Sequence, residues 1–102
     1  MPATLLSADQ VAEAAASLSA EWDVDTARLV RTVEFPGFLM AVSFIDELAP
    51  IAEELDHHPD LRLSWRTVEI TLSTHSAGGV TDLDVSLAGR LDEIISRLAA
   101  GG

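Results

Sequence analysis

The three histidines of this 102-residue chain fall in two short segments, Asp56-His57-His58-Pro59 and Ser73-Thr74-His75-Ser76. Imidazole exchanges protons near neutral pH, so a cluster of this kind suits acid-base chemistry. Pro59 biases His58 toward an extended backbone, and neighbouring side chains on extended chain project to opposite sides. His57 and His58 are therefore better suited to dividing labour across a ligand than to gripping one ion. Neutral imidazole also binds zinc, but no HExxH or CxxC spacing supports a metal site, and none is expected. Three surface histidines with no shared role form the plainer alternative, against which their confinement to two segments argues.

Other chemistry is thinner. There is no cysteine, which excludes disulfides and thiolate nucleophiles. Gly78-Gly79 alone is too weak for a phosphate loop and suits a tight turn better. On its own pattern Trp65 reads as core or interface, because indole burial is a large apolar gain. Asp84 reads as a capping carboxylate reaching back to Thr81.

The elements that must position the histidines follow from local signals. Ser7-Ala-Asp-Gln10 is a capping box, with Leu6 and Val11 as its staple, and predicts a helix from about Ala8 to Leu18 with Val11, Ala14, Ala15 and Leu18 facing the core. Residues 21–35 carry strand character around an Asp25-Thr26 turn and predict a hairpin, with Leu29, Val33 and Phe35 on one face. Phe38, Ala41, Val42, Ile45, Leu48, Ala49 and Ala52 recur at helical spacing over 37–55, with a kink or restart expected at Pro50. Leu61, Leu63 and Trp65, then Val68, Ile70 and Leu72, alternate with polar residues but out of phase, which requires a turn or bulge near Arg66-Thr67. Thr81-Asp-Leu-Asp84 opens a last helix with the stripe Leu87, Leu91, Ile94, Ile95 and Leu98. The order αββαββα predicts a two-layer α+β domain over residues 1–102, with three helices on one face of a four-stranded antiparallel sheet. The hairpin leaves the second helix at His57-His58 and returns to His75, so both histidine segments meet at one end. The sheet face turned from the helices is expected to meet solvent or a partner subunit.

Composition sets outer bounds. Apolar residues make up 48% and charged residues 23%, as in globular chains. Six basic against 17 acidic residues leave a net charge of −11, which repels phosphate backbones and anionic lipid. Nucleic acid and membrane are not expected as partners. No leader-like or membrane-spanning segment stands out, so the expected location is cytoplasmic.

Glu53, three residues, His57-His58-Pro59, five residues, Trp65, nine residues, His75, eight residues and Asp84 resembles the signature of pterin-4a-carbinolamine dehydratases. The likeness extends to Phe35-x-x-Phe38, Glu54-Leu-Asp-His-His-Pro59, Thr74-His75 and Gly-Gly-Val-Thr-x-x-Asp84, covers about residues 22–98, and shares the αββαββα order. It implies dehydration of 4a-hydroxytetrahydropterin to quinonoid dihydropterin, without metal or organic cofactor, in pterin recycling beside aromatic amino-acid hydroxylases. It further implies that His57, His58 and His75 are the acids and bases, with His58 and His75 the most direct pair, and that Asp84 supports His75. Asp56, His57, His58, Ser73, Thr74, His75 and Ser76 would line the pterin, with Trp65 from the signature, and Glu53 would orient it. A homodimer or homotetramer is implied too. Relatives on this fold include regulators and assembly chaperones, so a non-catalytic protein-binding module is the alternative. Two departures stand out. Pro50 could shift Glu53 relative to His57, and Ser76-Ala77 replaces a more usual polar or acidic residue after the last histidine.

Overall fold

A computed structural model describes residues 3–100. Its elements are α1 (Ala8–Ala15), β1 (Asp23–Val24), β2 (Leu29–Glu34), α2 (Phe38–Leu55), β3 (Asp60–Ser64), β4 (Thr67–Leu72), a 3-10 turn (His75–Ala77) and α3 (Asp82–Ala100). The strands form one antiparallel sheet in the order β1-β2-β4-β3, and the helices bank on one face of it, as the α+β reading expects.

The sheet's two faces follow from alternation. Leu29 and Val33 of β2 and Val68, Ile70 and Leu72 of β4 are buried against the helices, where they meet Phe35, Ala41, Phe44, Leu48, Leu87, Leu91 and Ile95. Phe35 and Phe44 pack with ring centroids 5.2 Å apart. The opposite face carries exposed Thr32, Glu34, Arg62, Ser64 and Glu69, a polar surface suited to water. Large exposed apolar side chains lie elsewhere, at Phe38 and Leu39 on the first turn of α2 and at Trp65 on the β3–β4 turn. Among the described residues no helix is long and apolar enough to cross a membrane.

Local chemistry accounts for the ends of α1. Ser7 Oγ accepts from the Gln10 amide at 3.2 Å and the Gln10 side chain accepts from the Ser7 amide at 2.9 Å, the reciprocal pair read from the sequence. The helix stops at Ala15, short of the expected Leu18. Ser17 and Leu18 donate to carbonyls three residues back, which tightens the last turn and carries the chain toward α3. There Asp92 gathers three donors: the Ser19 amide at 2.9 Å, Trp22 Nε1 at 2.7 Å and Arg31 Nη1 at 2.6 Å. This carboxylate ties the α1–β1 connection and β2 to the back of α3. Asp92→Ala is expected to cost about 2 kcal/mol, because it strands a mostly buried guanidinium. Urea denaturation checks this, and an unchanged midpoint would mean that water replaces the carboxylate without loss.

Pro50 does not restart α2, which runs unbroken from Phe38 to Leu55. Pro50, Asp46 and Ala49 all lie on the exposed side, where water can take the Asp46 carbonyl that proline leaves unpaired. The phase shift between β3 and β4 is absorbed by a two-residue turn. Ser64 faces Thr67, and the register then sets Leu63 opposite Val68 and Leu61 opposite Ile70, all toward the helices. Trp65 takes the first turn position with φ of 54°, in the left-handed region. The Arg66 guanidinium lies 4.7 Å over its ring and 3.0 Å from Glu34.

Candidate active site

The end of α2 sends the two adjacent histidines apart. Asp56 adopts φ of 48° as the left-handed cap, and the His57 amide donates to the Ala52 carbonyl at 3.0 Å, closing the helix in a Schellman-type turn. That reversal turns His57 inward, where it is 8% exposed, and leaves His58 outside. Pro59 then starts the chain along β3.

His57 meets a fully buried carboxylate, with Nε2 lying 2.5 Å from Asp84 Oδ1. The other oxygen, Oδ2, accepts from the Thr74 hydroxyl at 2.8 Å and from the Thr81 amide at 2.9 Å. Asp84 is therefore both the capping carboxylate of α3 and the partner of a histidine. A buried carboxylate is tolerable only when its lone pairs are met, and here three donors meet them.

The other two imidazoles have carboxylates of their own. His58 Nε2 lies 2.5 Å from Glu53 Oε2, one turn back on α2, and both side chains are exposed. His75 opens the 3-10 turn beyond β4 and lies 4.0 Å from Asp60 Oδ2 at the start of β3. Ion pairs this open add little stability. Glu53 is within hydrogen-bonding distance of its imidazole, whereas Asp60 stands beyond that distance from His75. All three histidines thus stand at one end of the sheet, each beside a separate acidic group, and Glu53 reaches His58 despite Pro50.

Several expected roles change. Asp84 bonds His57, not His75, because the inward turn at Asp56 delivers His57 to the start of α3 while the 3-10 turn holds His75 in solvent. The Thr74 side chain faces Asp84 and the interior, since Leu72 and Thr74 share the buried phase of β4 continued past its end. Ser73 Oγ donates to the Ala27 carbonyl at 2.9 Å, bracing the β1–β2 loop. Asp56 and Ser76 are exposed beside the histidines. Trp65 is not brought to them at all. It sits beyond the far end of the five-residue strand β3, with 71% of its surface exposed. Extended chain of that length separates it from Asp60 by roughly 17 Å. The sequence marks Thr81 only as the start of a helix, and no local signal ties its hydroxyl to Thr74, which it meets at 2.7 Å.

The sequence and the fold match known proteins. A family model described as pterin 4 alpha carbinolamine dehydratase aligns with residues 4–94. This chain belongs to that family. A relative from Natronomonas pharaonis is 46% identical over 82 residues, covering 80% of this chain and 89% of its own, and one from Nocardia farcinica is 44% identical over 94 residues, covering 92% and 98%. The naming of both as pterin-4-alpha-carbinolamine dehydratases is itself provisional. Among solved structures, a transcriptional coactivator/pterin dehydratase from Brucella melitensis superposes with a TM-score of 0.81 at 36% identity, covering 87% of this chain and 96% of that one. A pterin dehydratase-like RuBisCO assembly factor of the alpha-carboxysome reaches a TM-score of 0.58 at 24% identity, covering 72% and 84%, which speaks for the shared fold alone.

A surface cavity of about 950 Å³ lies away from the histidines, lined by Ser19, Arg31, Val85, Gly89, Arg90 and Asp92 among others. Its size carries less weight than the histidine cluster. Arg31 is neutralised by Asp92 and Arg90 lies 3.5 Å from Glu54, so the groove offers little unspent charge to a ligand. Among the described residues no three acidic or histidine side chains converge as a metal cage would require.

Proposed function

We propose that the protein dehydrates 4a-hydroxytetrahydropterin to quinonoid dihydropterin, with the histidines as its acids and bases. The observation that carries this reading is the set of three imidazoles, each beside its own carboxylate, at one end of the sheet. The reaction needs two proton transfers. A donor protonates the 4a-hydroxyl as the C4a–O bond breaks and water leaves, and an acceptor takes the N5 proton as that nitrogen's electron pair forms the new double bond to C4a. Groups on different sides of a flat bicycle serve both ends at once. His58 and His75, both open to solvent and on separate segments, are the direct pair, while His57 stands deeper and is held by Asp84. Such a function belongs in the cytoplasm, beside a pterin-dependent hydroxylase that would supply the substrate.

The test follows decay of 4a-hydroxytetrahydropterin in stopped flow with the pure protein. Acceleration over buffer is expected, and its absence would overturn the reading. His58→Ala and His75→Ala are each expected to slow turnover on the order of 10²-fold, the usual contribution of one acid-base group. Either variant at the wild-type rate would remove that residue from the mechanism.

A further inference from the structure

The Asp84 carboxylate is the end of a buried chain of hydroxyls. Thr74 Oγ1 lies 2.8 Å from Asp84 Oδ2 and 2.7 Å from Thr81 Oγ1, and Thr81 Oγ1 accepts the Leu83 amide at 3.3 Å. Thr74 is almost fully buried and Thr81 completely so. A hydroxyl has one proton to give. Thr74 gives its proton to the carboxylate, so it can only accept from Thr81, and the donors run in one direction from Leu83 through Thr81 and Thr74 to Asp84.

This order decides the state of His57. A proton shared between a carboxyl and an imidazole resides on the imidazole, by far the stronger base of the two. Oδ2 is saturated by Thr74 and the Thr81 amide, so Oδ1 is left to face Nε2, which carries its hydrogen. Nδ1 is then the ring's acceptor; among the described residues no hydrogen bond to it is seen, and it is not a buried unpaired atom, so it keeps some access to solvent. We infer that His57 acts through Nδ1 in a single tautomer, and that Thr74 and Thr81 are positioning residues that hold it there through Asp84. Thr74, on this assignment, serves the site through its side chain from behind His57 instead of touching the ligand. The kinetic part rests on the dehydratase reading; the tautomer does not.

The full chain, labelled with 15N-histidine, tests this by long-range 1H–15N correlation of the neutral imidazoles, with His57 assigned by loss of the other two signals in His58→Gln and His75→Gln. Wild type is expected to show Nε2–H and a bare Nδ1 at His57. Thr74→Val leaves Oδ2 held by the Thr81 amide alone, so the carboxylate is free to turn from His57; the share of Nε2–H is expected to fall as that bond loosens, and kcat to drop roughly tenfold, as loss of an orienting partner does, with KM within about twofold. Thr74→Ser is expected to restore both. Thr81→Val, which leaves the carboxylate's direct partners in place, is expected to shift the same signals less and serves if Thr74→Val does not fold. A wild-type His57 carrying its hydrogen on Nδ1, or unchanged His57 signals in the folded variant, overturns the inference. Absence of dehydratase activity in wild type with the Nε2–H pattern intact would instead overturn only the function proposed above.

Discussion

Asp84→Asn is expected to fold and to lose on the order of 10³-fold in kcat. The substitution keeps the shape of the side chain but replaces one acceptor oxygen with an NH2 donor. The Thr81 amide and the Thr74 hydroxyl both need the oxygen, so the new donor faces His57 Nε2 and obliges that nitrogen to accept. The hydrogen moves to Nδ1, and the nitrogen through which His57 is proposed to act can no longer accept a proton. In the serine protease triad the equivalent exchange costs about 10⁴ through the same tautomer reversal. The smaller figure here allows for His58 and His75 continuing to move protons. Asp84→Ala separates this effect from stability. It strips the partner from three buried groups and removes the carboxylate half of the α3 cap, for a loss of about 3–5 kcal/mol. Chemical denaturation and single-turnover kinetics on both variants provide the check. A catalytically unimpaired Asp84→Asn would show that His57 takes no part in proton transfer.

Gly79→Ala is expected to destabilise the protein by about 3 kcal/mol, at the upper end for an overpacked site. A methyl group there would overlap the Thr26 carbonyl oxygen and stand 2.8 Å from Leu5 Cδ1. The side chain of Leu5 can move. The Thr26 carbonyl cannot move freely, because it accepts the Val80 amide at 2.9 Å, while the Gly79 carbonyl accepts the Thr74 amide at 2.9 Å. Relief of the clash must therefore pull apart the loop that carries Thr74 and His75, so activity is expected to fall with stability. Neighbouring Gly78 makes the contrast. It has φ of 81° with nothing within 4 Å of an added methyl. Gly78→Ala should cost only the left-handed strain of about 1 kcal/mol. Thermal unfolding of the pair gives the comparison, and equal losses would mean that backbone conformation, not contact with Thr26, decides this turn.

What was legible in the sequence was whatever neighbours along the chain decide. The Ser7–Gln10 box, the alternation in β2 and β4, the stripe of α3 and the Thr81–Asp84 cap each involve residues within a turn or a strand of one another and formed as read, whereas on α2 Phe38 and Ala49 are exposed and Phe44, outside the expected stripe, is buried. The meeting of the two histidine segments was legible as well, because a hairpin must bring its ends together. Glu53 was set against His57 in the sequence, and the turn at Asp56 gives it His58 instead.

Side-chain direction between distant segments was not legible. Asp84 could cap α3 with one oxygen whatever its other oxygen faced, and only packing of α2 against α3 brings His57, 27 positions earlier, onto the free one. Thr74 could point to ligand or to core until the sheet register settled its phase. Trp65 belongs to the same signature as the histidines, yet a two-residue turn keeps it at the far end of β3. The residues able to do acid-base chemistry were thus determined by sequence alone. The tertiary structure decided which carboxylate serves which imidazole, because hydrogen bonds depend on positions within a few tenths of an ångström that no local spacing specifies.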